Sequence, residues 1–249
     1  MIKIKNENEI ALMRIAGQIN YQTHCLIANL VKPGITTKSL DQAAENYIKS
    51  QNAYPSFKNY EGFPASICAS INDQVVHGIP GNYQLKDGDL LKIDIGVNYQ
   101  GYHSDSAVTH IIGETTLEIK ILVNETKTAL YKGIEQVKPG NTIGDIAFAI
   151  ESHAKKHRLG VIKELVGHGV GQKLHEDPNV PNYGKPHQGI VLKPGMTLAI
   201  EPMLNLGGPD IIMSADGWTI KTLDQLPSAH FEHTVLVTDS GYEILTGEW

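Results

Sequence analysis

Two aspartates, Asp94 and Asp105, stand inside the run LLKIDIGVNYQGYHSDSAVT (90–109), among apolar and β-branched neighbours. The run reads as a β-hairpin turning at Asn98-Tyr99-Gln100-Gly101. A turn closing symmetrically there sets residues whose numbers add to 199 face to face, and Asp94 and Asp105 meet that condition. Carboxylates directly opposite on one sheet face, with Cβ atoms roughly 4.5–5.5 Å apart, repel unless something positive lies between them. A divalent cation is the economical candidate. For the hairpin taken alone, a bulged register or two side chains reaching water is the competing reading.

The second half supplies further acids in similar settings. Glu201 sits in TLAIEPM (197–203) and Glu232 in HFEHTVLV (230–237), both strand-like and apolar. An ionised carboxylate in such a strand is costly to bury unless it is paired or binds a metal. Four carboxylates neutralise two divalent cations. His168 lies in GHGVG (167–171), where glycines let backbone approach closely and leave the imidazole unobstructed. Two bridged ions roughly 3.5–4 Å apart would polarise a carbonyl and activate water, which suits hydrolysis of amide or phosphate bonds. Oxygen-rich ligation with one imidazole fits Mn, Fe, Co or Zn.

The elements that must carry these residues repeat. Leu12, Ile15, Ile19, Leu26 and Leu30 fall at helical intervals and predict a helix from Asn8 to Leu30, ended by Val31-Lys32-Pro33-Gly34. A second helix starts behind Thr36 or Thr37 and runs towards Asn52. After a loop-rich section (54–80) and the hairpin, a helix from about Leu117 to Val137 ends in Val137-Lys138-Pro139-Gly140. Another follows Thr142, with Asp145 in capping-box position. Laying 31–50 over 137–156 gives eight identities, and laying 85–94 over 192–201 aligns Leu85, Gly88, Leu91 and Ile93 with Leu192, Gly195, Leu198 and Ile200. The second overlay ends by matching Asp94 to Glu201. Two helix-helix-sheet units related by a pseudo-twofold axis, about 1–113 and 114–249, would close as one α+β domain around an antiparallel sheet. Each would bring an acid to the axis.

Composition sets outer bounds. A 41% hydrophobic share with 19% charged residues is ordinary for a soluble globular chain. A formal charge of −6 gives no electrostatic reason to expect nucleic acid. No apolar run of about 18 residues is present, so no membrane span is expected. The charged start MIKIKNENEI lacks the apolar core of a secretory signal. Cys25 and Cys68, without CxxC pairing, are expected to be reduced and buried in a cytoplasmic protein.

The set Asp94, Asp105, His168, Glu201 and Glu232, with His77 in VVHGIP and His175 in GHGVGQKLHEDP, closely resembles the type I methionine aminopeptidases, in their short bacterial-like form, from about Asn8 to Gly247. The resemblance implies a pita-bread fold, itself a pseudo-symmetric duplication, and removal of N-terminal methionine from nascent chains whose second residue is small. It implies that Asp94 binds one metal through both oxygens, that His168 completes the shell of the other, and that Asp105 and Glu232 bridge them. Glu201 would bind metal and shuttle a proton, and His77 and His175 would hydrogen-bond substrate around the scissile amide. By the same resemblance, Tyr60, Phe63, Cys68 and Trp218 line the methionine pocket, and a monovalent cation lies near Asn72 and Ser228. The partners implied are nascent N-termini at the ribosome, and the chain is expected to be a monomer.

Two positions depart from the family pattern: Leu174 stands where an aromatic precedes His175, and Phe57 where a small or thiol residue is usual. The nearest rivals are an X-Pro aminopeptidase or dipeptidase of the same fold, and a non-catalytic pita-bread module that binds peptides or histones. Phosphate-ester hydrolysis at a two-metal site would fit the acids but leave the apolar pocket unexplained.

Overall fold

In the computed structural model, residues 2–247 are described; the outermost residues of the expected 1–249 domain lie outside them. Four helices, α1 (Glu7–Leu30), α2 (Thr37–Ser50), α3 (Leu117–Ile134) and α4 (Ile143–Lys156), pack on antiparallel sheets. The helix starts are set by side chains. Asn6 and Glu9 close a capping box on α1, Thr36 caps α2, and Thr142 with Asp145 forms the expected box on α4.

The predicted duplication is visible bond by bond. Gly34 and Gly140 both take positive φ (+89° and +90°) and donate their N–H groups to the Leu85 and Leu192 carbonyls at 2.7 and 3.2 Å. Thr36 bridges Gln84 as Thr142 bridges Val191. Leu85, Leu91 and Ile93 are buried against α1 and α2, while their equivalents Leu192, Leu198 and Ile200 are buried against α3 and α4. Each side chain so buried contributes about 1.5–3 kcal/mol.

In the first half, strands Leu90–Tyr99 and Tyr102–Ile111 form the expected hairpin, joined to Cys68–Ile71 on the free edge of the first. In the second half, Thr197–Ile200 lies between His233–Val237 and Gly167–Gly169. A seam joins the halves beside the acids. Glu232 and Ala107 exchange backbone hydrogen bonds (2.9 and 3.3 Å), and Thr234 Oγ1 both accepts from the Asp105 N–H (2.9 Å) and donates to its carbonyl (2.8 Å).

Two expectations are corrected here. The hairpin turns one residue later than its composition suggested, through Gln100 and Gly101, which both have positive φ (50° and 86°), the two-residue geometry that follows strand twist. Asp94 therefore pairs with Ala107 and Asp105 with Gly96. A shift of two in register preserves the face, so the acids become diagonal neighbours, with Cα atoms roughly 7–8 Å apart rather than in direct opposition. The buried stripe of α1 also differs. Leu12, Leu26 and Leu30 are only partly buried and Ile15 is exposed; of the five, Ile19 alone is fully buried. The stripe instead includes Met13, Gly17, Asn20, Thr23 and His24, because α1 is tied to the hairpin by polar bonds. Asn20 Nδ2 donates to the Ile95 carbonyl, Ser106 Oγ donates to Asn20 Oδ1 at 2.6 Å, and His24 Nε2 lies 3.1 Å from the Ser106 carbonyl. Cys68 is buried as expected, whereas Cys25 is only partly so.

Candidate metal centre

The sheet register brings all five expected ligands to one place. Asp94 and Asp105 project from one face of the hairpin, Glu232 sits on the seam, and Glu201 follows the strand end equivalent to Asp94. His168 stands one strand over, opposite Ala199. Its Nε2 lies 3.6 Å from Glu201 Oε1 and 3.9 Å from Asp105 Oδ2, while its Nδ1 is held by the Gly169 carbonyl at 2.8 Å. That backbone bond fixes the tautomer and leaves Nε2 free for a metal.

The acids strain against each other as they stand. Burial raises the Asp94 pKa to about 7, with Glu201 adding to the rise and His230 opposing it, and burial raises Glu201 to about 8. Burial and the surrounding carboxylates hold Asp105 and Glu232 well above the usual range. Asp94 Oδ1, Asp105 Oδ1 and Glu232 Oε1 are buried without a hydrogen-bond partner. Orphaned carboxylate oxygens converging beside an imidazole fit a divalent cation: four acids and a neutral nitrogen supply the charge and the donor atoms that such an ion needs.

A cavity of about 320 Å³ opens above the acids, within the range of small-ligand pockets. Its lining includes all eleven residues singled out in the sequence for chemistry or substrate contact. Phe63 and Trp218 meet edge to face at 5.2 Å between centroids, and Tyr60 Oη lies 2.9 Å from His175 Nδ1. The His175 ring also stands against His168, 4.3 Å between centroids. Cys68 is the strand partner of Asp94, so the apolar floor of the cavity and the acids share one register. His77 occupies the left-handed region (φ 57°), a backbone cost of about 1–3 kcal/mol of the kind found at functional sites.

The chain matches the model of metallopeptidase family M24 over residues 11–239. It belongs to that family. Among M24 relatives it is 50% identical to methionine aminopeptidase 1 of Bacillus subtilis, over 99% of both chains, and 48% identical to the methionine aminopeptidase of Clostridium perfringens, again over 99% of both. The crystal structure of methionine aminopeptidase from Rickettsia prowazekii superposes with a TM-score of 0.98 at 45% identity, covering 99% of this chain and 100% of that one. The prolidase of Pyrococcus horikoshii shares the M24 fold at 24% identity, with a TM-score of 0.81 over 99% of this chain and 64% of its own. The mixed helix and antiparallel-sheet architecture is the pita-bread fold of these M24 proteins.

Within this M24 site the structure adds one residue that sequence reasoning missed. His230 is fully buried, neither ring nitrogen has a hydrogen bond, and its Nε2 lies 3.6 Å from Glu201 Oε2 and 4.0 Å from Glu232 Oε2. Burial holds its pKa down to about 4, so it is neutral. Its place two residues before Glu232, in the same strand-like run, was the available signal.

The two departures from the family pattern are accommodated. Leu174 and Phe57 are buried together with Phe63 and Cys68, and Phe57 is admitted because residue 96 is glycine: a Cβ there would lie 2.6 Å from Phe57 Cε1. Near Asn72 and Ser228, where the resemblance implies a monovalent cation, the structure places a lysine amine. The carbonyl of Asn72, which accepts from the Ser228 N–H at 3.1 Å, also receives the Nζ of the fully buried Lys92 at 2.7 Å. The chain's own amine thus reaches the carbonyl nearest the implied position.

Proposed function

We propose that this chain is a methionine aminopeptidase, hydrolysing the first peptide bond of nascent polypeptides that begin with methionine followed by a small residue. The observation that carries the reading is the meeting of two buried acids, Asp105 and Glu232, two partly buried ones, Asp94 and Glu201, and His168 at the base of one apolar, sulfur-lined cavity. The names of its relatives agree with it.

In this reading Asp94, Asp105, His168, Glu201 and Glu232 would together hold the metal, Asp94 on the side of one ion and His168 on the side of the other, with Asp105 and Glu232 between. Two divalent ions, drawn from Co, Mn, Fe or Zn, would lower the pKa of water and polarise the scissile carbonyl when bound. Glu201, ionised once bound metal has displaced its proton, would accept the proton of the attacking water and pass it to the leaving amine. His230 stands beside Glu201 and Glu232 as a neutral imidazole, its Nε2 3.6 and 4.0 Å from their oxygens. His175, oriented by the Tyr60 hydroxyl, and His77 hydrogen-bond the carbonyl oxygen and the amide nitrogen as the tetrahedral centre forms and collapses. Phe63, Trp218, Tyr60 and Cys68 enclose the methionine side chain, with ring edges and sulfur giving the polarisable contact a thioether favours.

The same reading makes the chain a single cytoplasmic catalytic domain with halves near 1–113 and 114–249, working as a monomer close to the ribosome. The test is release of the first residue from a peptide beginning Met-Ala against one beginning Ala-Pro, with metal or with chelator. Metal-dependent cleavage of the first supports the proposal. Cleavage of the second alone points to an X-Pro peptidase, and cleavage of neither points to a binding module.

A further inference from the structure

A second group of metal-binding side chains lies away from the cavity, where helices α3 and α4 pack side by side. His153, in the last turn of α4, and His157, its C-cap residue, are four apart in sequence and present their rings on one side, 4.7 Å between centroids and tilted by 32°. Glu125 comes from α3. Its Oε2 lies 2.8 Å from His153 Nε2 and 3.4 Å from His157 Nε2, and the three ligand atoms all fall within 4.8 Å of one another.

We propose that Glu125, His153 and His157 form a separate site for one divalent transition-metal ion, which staples α3 to α4. An ion with bonds of about 2.0–2.1 Å to nitrogen and oxygen holds tetrahedral ligand atoms roughly 3.3 Å apart, close to the spacing already present. A hydrogen-bonded clasp between the helices needs one imidazole; here two aim their Nε2 atoms at the same carboxylate oxygen. All three side chains are partly exposed, so water completes the fourth position and the ion enters from solvent. The nearby Lys155 is drawn to Glu151 at 2.7 Å. Two imidazoles and one carboxylate favour Zn, Ni or Cu over Mg, Ca or Mn. None of the three residues lines the cavity, so the ion has no part in peptide cleavage.

The experiment counts Zn²⁺ bound per full-length chain after equilibrium dialysis, comparing the parent with H153A/H157A and with E125Q, and using H187A as an exposed-histidine control. The expected result is one equivalent fewer in H153A/H157A than in the parent and in H187A, and weaker Zn²⁺ binding in E125Q. Methionine release should be unchanged throughout. Should the double variant fold poorly, histidine-ring NMR of the parent decides the matter, since Zn²⁺ should shift the His153 and His157 signals together. Equal Zn²⁺ counts in parent and H153A/H157A, or ring signals that Zn²⁺ leaves unmoved, would overturn the proposal. The central acids are identical in every chain compared, so these outcomes do not depend on the reading of the cavity.

Discussion

Replacing Asp94 by Asn should stabilise the metal-free chain and weaken the metal-loaded one. Burial lifts the Asp94 pKa from 3.8 to about 7. The folded chain therefore holds a proton that the unfolded chain has lost, and this group's contribution to stability falls as pH rises from about 4 to about 7. At about 1.36 kcal/mol per pH unit, the accumulated cost at pH 8 is about 4 kcal/mol. The amide in Asp94→Asn carries no charge but leaves a buried polar group unpaired, which returns about 1–3 kcal/mol of the gain. In EDTA at pH 8 a net gain of about 2 kcal/mol, or roughly 4–8 °C in Tm, is expected for a chain of this size. At pH 5 the cost relieved shrinks to about 1–2 kcal/mol, comparable to the cost of the unpaired amide, and the two Tm values should nearly coincide. With saturating Mn²⁺ the order reverses, because the parent gains from binding an ion that the variant holds weakly. Calorimetric or circular-dichroism melts at the two pH values, with EDTA or Mn²⁺, read all four conditions. A variant less stable than the parent in EDTA at pH 8, or one with an undiminished Mn²⁺-induced rise, would refute the assignment of Asp94 as a strained ligand.

Three further outcomes follow from the same geometry. Metal uptake at pH 7 in weak buffer should release protons, because Glu201 with a pKa of about 8, and Asp105 and Glu232, held well above the usual carboxylate range, must give theirs up, and apparent affinity should rise from pH 6 to 8.5; uptake without proton release would contradict the raised pKa values. Gly96→Ala places a Cβ 2.6 Å from Phe57 Cε1 and 2.7 Å from Ser56 Cβ, so it should cost about 1–3 kcal/mol in urea unfolding and raise KM for Met-Ala peptides by pushing Phe57 into the pocket. His175→Ala should lower kcat about 10²–10³-fold with metal content unchanged, and Tyr60→Phe, which removes only the orienting 2.9 Å contact, should lower it less; loss of metal in either variant, measured by elemental analysis, would show that the residue does more than meet substrate.

The duplication and the convergence of the acids were legible in the sequence because both rest on simple periodicities. The VKPG blocks fix two helix ends, and period two along a strand keeps Asp94 and Asp105 on one face even when the register is misjudged by two. The register itself depended on whether Gln100 and Gly101 could both adopt positive φ, which residue names signal only weakly for Gln. The inner face of α1 was illegible because it is chosen by hydrogen bonds from Asn20 and His24 to strands some 75 to 82 residues away, which override the apolar count. His230 and Lys92 escaped for a related reason. A histidine or lysine in a strand says nothing about burial until tertiary contacts show the imidazole set against two acids and the amine set on the Asn72 carbonyl.

The central claim is that acids from both halves of the duplicated fold share a pair of ions beneath the cavity. Anomalous diffraction from crystals grown with Mn²⁺ tests it directly. The account predicts two peaks roughly 3.5–4 Å apart, both bonded to Asp105 and Glu232, one also to Asp94 and the other to His168 and Glu201. Peaks lying elsewhere, or the five side chains turned from one another around water alone, would contradict it.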